Sequence, residues 1–204
     1  MSKPNYHAST AILLFLTLGA SGCESEKINP TTDNPGGGQD IVLDPAPESV
    51  SPTRPGQLLI NEIMPNPSQL PDSEGEWIEI LNPGPGPVDL QGCIISDAST
   101  VNFSIESELI AGTGGFVTFA NSSNPGFEAD IDYGASGLVL NNSSETVILT
   151  CNGIVIDETS YSGSSAGESL SLSADGSDTW CFDTINAYGA GDTGTPGETN
   201  LVCP

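Results

Sequence analysis

LLINEIMPNPSQLPDSEGEWIEILNPG, residues 58–84, decides the fold of this 204-residue chain. Two short apolar runs flank a loop of Pro, Ser, Asp and Gly, which is the spacing of neighbouring β-strands. In the first run, residues 58–64, alternation puts Leu58, Ile60 and Glu62 on one face and Leu59, Asn61 and Ile63 on the other. In the second, residues 76–81, Trp77, Glu79 and Leu81 share one face and Glu76, Ile78 and Ile80 the other. Each strand therefore carries acids within apolar rows. A buried carboxylate needs hydrogen-bond donors or a cation, so Glu62, Glu76 and Glu79 are the first candidates for a site.

The chain after residue 84 continues in the same style. Residues 88–96 (VDLQGCIIS) predict a strand bent at Gly92, and residues 103–109 a weaker one. Residues 115–120 (GFVTFA) predict a strong strand with Val117 and Phe119 on one face, and 138–140 a short one. Residues 146–151 and 154–161 flank Asn152-Gly153, the signature of a two-residue type I′ hairpin, whose turn needs positive φ at both positions. That register sets Cys151 opposite Ile154, Leu149 opposite Ile156 and Val147 opposite Glu158, with the apolar members facing the core. Residues 168–173 (ESLSLS) turn Leu170 and Leu172 inward, and 179–182 (TWCF) offer Trp180 as a core plug. The rest of the chain is turn-rich, and no helical stretch is evident. Short strands punctuated by Gly, Pro, Asn and Ser specify an all-β sandwich or barrel. A domain from Leu58 to Pro204 is large enough to bury about 70% of its unfolded surface.

Before residue 58 the composition changes. Residues 1–22 read as a signal peptide: Lys3 supplies the charged end, residues 11–18 (AILLFLTL) the apolar core, and residues 19–22 the small residues before cleavage. That apolar core is shorter than the roughly 20 residues a membrane-spanning helix needs. GASGC resembles a bacterial lipobox, with Ala20 where Leu is commonest, so Cys23 is expected to be lipidated. An ordinary cleaved signal with a stray thiol is the alternative. Residues 23–57 then read as a disordered tether of Pro, Gly and acidic residues with an end-to-end distance of roughly 30–35 Å. In the alternative, Ile41, Val42 and Leu43 add an edge strand to the domain. Glu24 after the cysteine is compatible with the outer membrane, by resemblance to Gram-negative lipoproteins.

Charge and cysteines narrow the function. Lys+Arg number 3 against 27 Asp+Glu, a formal net charge of -24. The basic residues are Lys3, Lys27 and Arg54, so the expected domain has none. Nucleic-acid partners are therefore not expected, because phosphate binding relies on Lys and Arg. The only histidine, His7, lies in the leader, which leaves the domain without imidazole for a triad or a catalytic zinc site. Beyond Cys23 stand Cys93, Cys151, Cys181 and Cys203, an even set that reads as two disulfides in an exported chain. Three connectivities are open. Cys151, pointing inward, suits an inter-sheet bridge, and Cys203 is placed to pin the tail to Cys181. The expected pairs are Cys93 with Cys151 and Cys181 with Cys203.

Seven segments occur in an order that carries a resemblance: INEIMPNP, EGEWIEILNPG, PVDLQGCIISD, LIAGTGGFVTFA, SSETVILTCNGIVIDETSYS, ESLSLSADGSDTW and TPGETN. Together they resemble the lamin-tail domain, an immunoglobulin-like β-sandwich. Cys93 stands where the family often has an aromatic residue, and Cys151 where its hairpin usually lacks cysteine. The two departures together favour a bonded pair. The resemblance implies a non-enzymatic binding module and supplies no catalytic residues.

Candidate sites follow from the acids. Asn61, Glu62, Glu76, Glu79 and Asn82, with Asp72 or Asp97 nearby, form the main polar constellation. Hard oxygen donors of this kind suit Ca²⁺, with Glu62, Glu76 and Glu79 as its ligands. The competing expectation is structural hydrogen bonding with no cofactor. Asp130 and Asp132, and likewise Asp175, Asp178 and Asp192, are expected in solvated loops. Paired carboxylates also serve glycosidases, but no subsite pattern accompanies them here. Ser160, Ser162, Ser164 and Ser165 have no base nearby in sequence. The leading expectation is a lipid-anchored, non-catalytic interaction or structural module of a bacterial envelope, with protein or polysaccharide partners at the cell surface. A Ca²⁺-dependent adhesin or matrix- or carbohydrate-binding module is the second reading, and a hydrolase the third.

Overall fold

The structure is a computed structural model that describes residues 47–99, 102–135, 137–174 and 176–204. The leader, Cys23, the first part of the tether and Asp175 lie outside the described residues. The elements, in chain order, begin with β1 (Leu59–Met64), α1 (Asp72–Gly75), β2 (Trp77–Leu81), β3 (Val88–Asp89) and β4 (Cys93–Ser96). Next come β5 (Asn102–Ser104), β6 (Ile110–Ala111), β7 (Phe116–Ala120), β8 (Ile131–Asp132) and β9 (Ser144–Cys151). The last are β10 (Ile154–Ser162), β11 (Leu170–Leu172), β12 (Trp180–Phe182), β13 (Ala187–Tyr188) and β14 (Asp192–Thr193). A six-stranded sheet runs β12-β11-β1-β2-β7-β8, and a four-stranded sheet runs β10-β9-β4-β5. Two-stranded ribbons, β3-β6 and β13-β14, accompany them. This is the immunoglobulin-like β-sandwich expected from the sequence.

The two sheets enclose one core. Ile60, Ile63, Ile78, Ile80, Val117 and Phe119 enter it from the six-stranded sheet, and Cys93, Ile95, Val147, Leu149, Cys151 and Ile156 from the other. Burying each large apolar side chain contributes roughly 1.5–3 kcal/mol before entropy is counted. The Asn152-Gly153 turn has φ of 52° and 75°, as its hairpin signature requires.

Several local expectations are corrected by the backbone. The register of β1 against β2 shifts between Ile60 and Glu62. This bulge lets Ile60 and Ile63 both reach the core and moves Glu62 to the outer face, so strict alternation fails there. A second shift lies between Val155 and Asp157, pairing Leu149 with Asp157 in place of Ile156. Ile156 stays buried, whereas Ile154 is 38% exposed, because the bulge swings the start of β10 off the packed layer.

The cysteine pairs are those expected, Cys93 with Cys151 and Cys181 with Cys203. Cys93 and Cys151 nevertheless face each other on neighbouring strands of the same sheet, so the bridge is not inter-sheet. Leu138 and Leu140 are buried but form no strand. A single helical turn, α1, and the parallel strand β8 were not anticipated. The end of the expected tether is also packed. Val50 bridges Val88, and Gly56 N–H donates to Ile156 O at 2.7 Å.

Strand β11 pairs with β1 through Glu62–Ser171 and Ile63–Leu170, and β12 pairs with β11. The last forty or so residues therefore complete a sheet begun by the first strand. A chain truncated after Gly163 keeps the β9-β10 hairpin but strips one flank of β1. It is expected to show no cooperative thermal unfolding by circular dichroism, whereas the intact chain unfolds in one transition.

Candidate functional site

The acids singled out by sequence divide between the two faces of the six-stranded sheet. Glu62 and Glu79 are register partners on β1 and β2, and both project from the outer face with Trp77 and Met64. Glu76 precedes Trp77 and points inward beside Ile78. Side chains on opposite faces of one sheet cannot converge, so Glu62, Glu76 and Glu79 do not form one ligand set. Among the described residues no three His, Cys, Asp or Glu side chains gather to hold a metal ion.

The outer face is covered by the C-terminal segment. Glu62 is fully buried. Its Oε1 accepts from Ser169 Oγ, from Ser171 Oγ at 3.0 Å and from Thr195 N–H at 3.0 Å, while Thr195 Oγ1 donates to Oε2 at 3.0 Å. Glu79, also fully buried, accepts from Asn61 Nδ2 at 2.7 Å and from Gly197 N–H at 2.6 Å. Asn200 completes the seam. Its Nδ2 donates to Asn61 O at 2.9 Å and Leu172 O at 2.8 Å, and its Oδ1 lies 2.9 Å from Thr195 Oγ1. The carboxamide thus bridges β1 and β11 where their ladder ends.

Packing beside this seam is equally close. Trp77 Nε1 donates to Tyr188 Oη at 2.8 Å. Trp77, Phe127 and Tyr188 meet edge to face with centroids 5.4–5.8 Å apart. Gly194 passes directly over Glu62. A Cβ there would lie 2.9 Å from both Glu62 Oε1 and Ser169 Oγ, so a side chain at this position must displace the hydrogen-bonded Glu62–Ser169 pair.

Burial pushes the Glu79 carboxyl up to about 8, although the hydrogen bonds from Gly197 and Asn61 oppose the rise. The negative charges of Glu62 and Asp130 add to it. Glu62 is raised for the same first cause, offset by its Ser and Thr donors. Desolvation also lifts Glu76, to about 7. Its Oε2 accepts from Leu140 N–H at 3.0 Å and Asn121 Nδ2 at 3.3 Å, and the Asp72 charge adds to the rise.

The remaining candidates serve the fold. Asp72 does come beside Glu76: its carbonyl accepts from Asn121 Nδ2 at 2.6 Å. Asp97 does not; it accepts from Ser99 N–H and Oγ in its own turn. Asn82 reaches the carbonyls of Gly86, Ala111 and Gly112 with Nδ2. Asp130 accepts from Thr118 N–H and Oγ1, both at 2.8 Å. Asp192, expected in a solvated loop, is 4% exposed and accepts from Ser68 N–H and Oγ. Ser160 lies against Thr146 Oγ1 and Ser164 donates to Asn142 O. The roles of Ser169, Ser171, Thr195, Gly197 and Asn200 were missed in the sequence. The available signal was that two buried acids in a domain whose one cation is Arg54 require neutral donors.

Glu62→Ala or Glu79→Ala is expected to cost about 3 kcal/mol in urea unfolding, because each leaves buried donors unpaired. Gly194→Ala is expected to unseat the same segment, read as faster proteolysis after Phe182. The pH dependence follows from the raised carboxyls. Between pH 4.5 and about 8 the folded chain holds more protons on Glu76 and Glu79 than the unfolded chain does. Their contribution is complete below the unfolded value and is lost as pH rises through the folded ones. The melting temperature is therefore expected to be higher at pH 5 than at pH 8.

Comparison with known proteins gives one family: residues 51–163 match the lamin tail domain. No curated protein matches the chain. The match starts one residue after Val50 and ends just after β10, so β11, β12 and the covering segment lie beyond it. With more than half of its length matched in this way, the chain belongs to the lamin tail domain family.

Proposed function

We propose that this chain is a non-catalytic interaction or structural module, lipid-anchored through Cys23 on a bacterial envelope, in the outer membrane. One observation supports the module reading above the others. The buried carboxylate pair on the outer face, Glu62 and Glu79, is fully engaged by neutral donors of the C-terminal segment. No substrate reaches them in that arrangement. Binding is then left to faces, edges and loops of a rigid sandwich, as is common for such modules.

The anchor reading rests on the leader, the GASGC motif and the Pro/Gly-rich residues that follow. With a net charge of -24, partners at the cell surface are proteins or polysaccharides and not nucleic acid. In cells fed a clickable palmitate analogue, the wild-type chain is expected to label and to fractionate with membranes. Cys23→Ala should abolish labelling. Undiminished labelling of that variant removes the anchor.

A further inference from the structure

The C-terminal segment covers only part of the outer face. It seats on Glu62, Glu79 and Trp77 and leaves the other end of the same strands open. There Leu59 pairs with Leu81, and Leu81 with Phe116, which places three large apolar side chains in one row across β1, β2 and β7. All three are only half-buried. With Leu172, Pro83 and Ala174 they line a groove of about 330 Å³, with Asn61 and Asn200 at its polar end. Apolar side chains left partly open to solvent along one groove are the setting of a contact site.

The groove adjoins a second cavity of about 260 Å³, and the two share Leu59 and Leu172. The second cavity is lined by Asp157, Glu158, Asp178 and Trp180. Asp157 accepts from Ile60 N–H at 2.7 Å, and the backbone N–H of Glu158 also donates to it. Its carboxyl is raised by burial first, and further by the neighbouring charges of Asp178 and Glu158. Among the described residues no lysine or arginine relieves that repulsion, because Arg54, their one cation, lines a different cavity with Pro83–Val88.

We propose that the Leu59–Leu81–Phe116 groove and the Asp157–Glu158–Asp178–Trp180 cavity together dock an extended protein segment that pairs apolar side chains with a lysine or arginine. The apolar side chain fills the groove. The cation lies among the three carboxylates and against the indole, an arrangement favoured by charge and by the aromatic face. This deepens the module reading above and rests on it by naming the chemistry of the partner.

The test uses the purified full chain and two capped peptides, one alternating leucine and lysine and one alternating leucine and glutamine. Titration by amide chemical shift is expected to perturb Leu59, Leu81, Phe116, Glu158 and Asp178 with the lysine peptide. Leu81→Ser should weaken binding by about tenfold, the scale of one anchor contact. Glu158→Gln combined with Asp178→Asn should do the same, as should replacing lysine by glutamine. Equal affinity in Leu81→Ser reduces the effect to general attraction to an acidic surface and overturns the groove. Equal affinity in the neutralised variant, or no binding of the lysine peptide, overturns it as well. Because the assay needs no membrane, its failure leaves the anchor untouched, and the labelling experiment decides that separately.

Discussion

Two carboxylates buried side by side in a domain with almost no cations impose the constraint on which the structure turns. Glu62 and Glu79 are neighbours on β1 and β2, fully removed from water. A buried carboxyl without hydrogen-bond partners costs free energy in either protonation state, most of all when charged, and among the described residues no ion pair offsets it. Neutral donors must be brought to the site from elsewhere in the chain. The donors are Ser169 just before β11, Ser171 within it, Thr195 and the Gly197 N–H, joined by Asn61 of β1, while Asn200 ties the same segment to β1 and β11. The acids therefore dictate where the last part of the chain goes.

That routing explains features that otherwise look unrelated. β11 lies against β1, far from it in sequence, and presents Ser171 to Glu62. Gly194 is bare of a side chain because the backbone crosses the carboxylate and the indole of Trp77 at contact distance. The Cys181–Cys203 bridge ties the end of the same segment back to β12. The segment that matches the lamin tail domain family thus depends on residues beyond it for both a neighbouring strand and the cover of its outer face.

Much of this was legible in the sequence, and the failures have physical causes. The β-class and the Asn152-Gly153 turn followed from local patterning; parity pointed to two disulfides, and the pairing found is the one expected among three open connectivities. The faces of β1 did not, because a bulge at Asn61 adds a residue that period-two counting cannot register. The same applies to Ile154, displaced by the second bulge in β10. The three glutamates stood out as anomalies, and alternation already set Glu76 and Glu79 on opposite faces, but the side taken by Glu62 depends on that bulge. The donors were invisible because serine, threonine and asparagine in a turn-rich tail look like solvated loop. Asp192 shows the same limit: a buried acceptor for Ser68 is indistinguishable in sequence from an exposed turn residue.

With Glu62, Glu76 and Glu79 committed to architecture, the contact surface we propose is the uncovered end of the outer face. Amide hydrogen exchange of the intact chain tests the central claim most directly. If the carboxylates organise the fold, the amides of Thr195 and Gly197 exchange only through global unfolding, as slowly as those of Ile78 and Ile80 in the central strand. Exchange of Thr195 and Gly197 at loop-like rates, while Ile78 and Ile80 stay protected, would contradict it and make the covering segment an accessory.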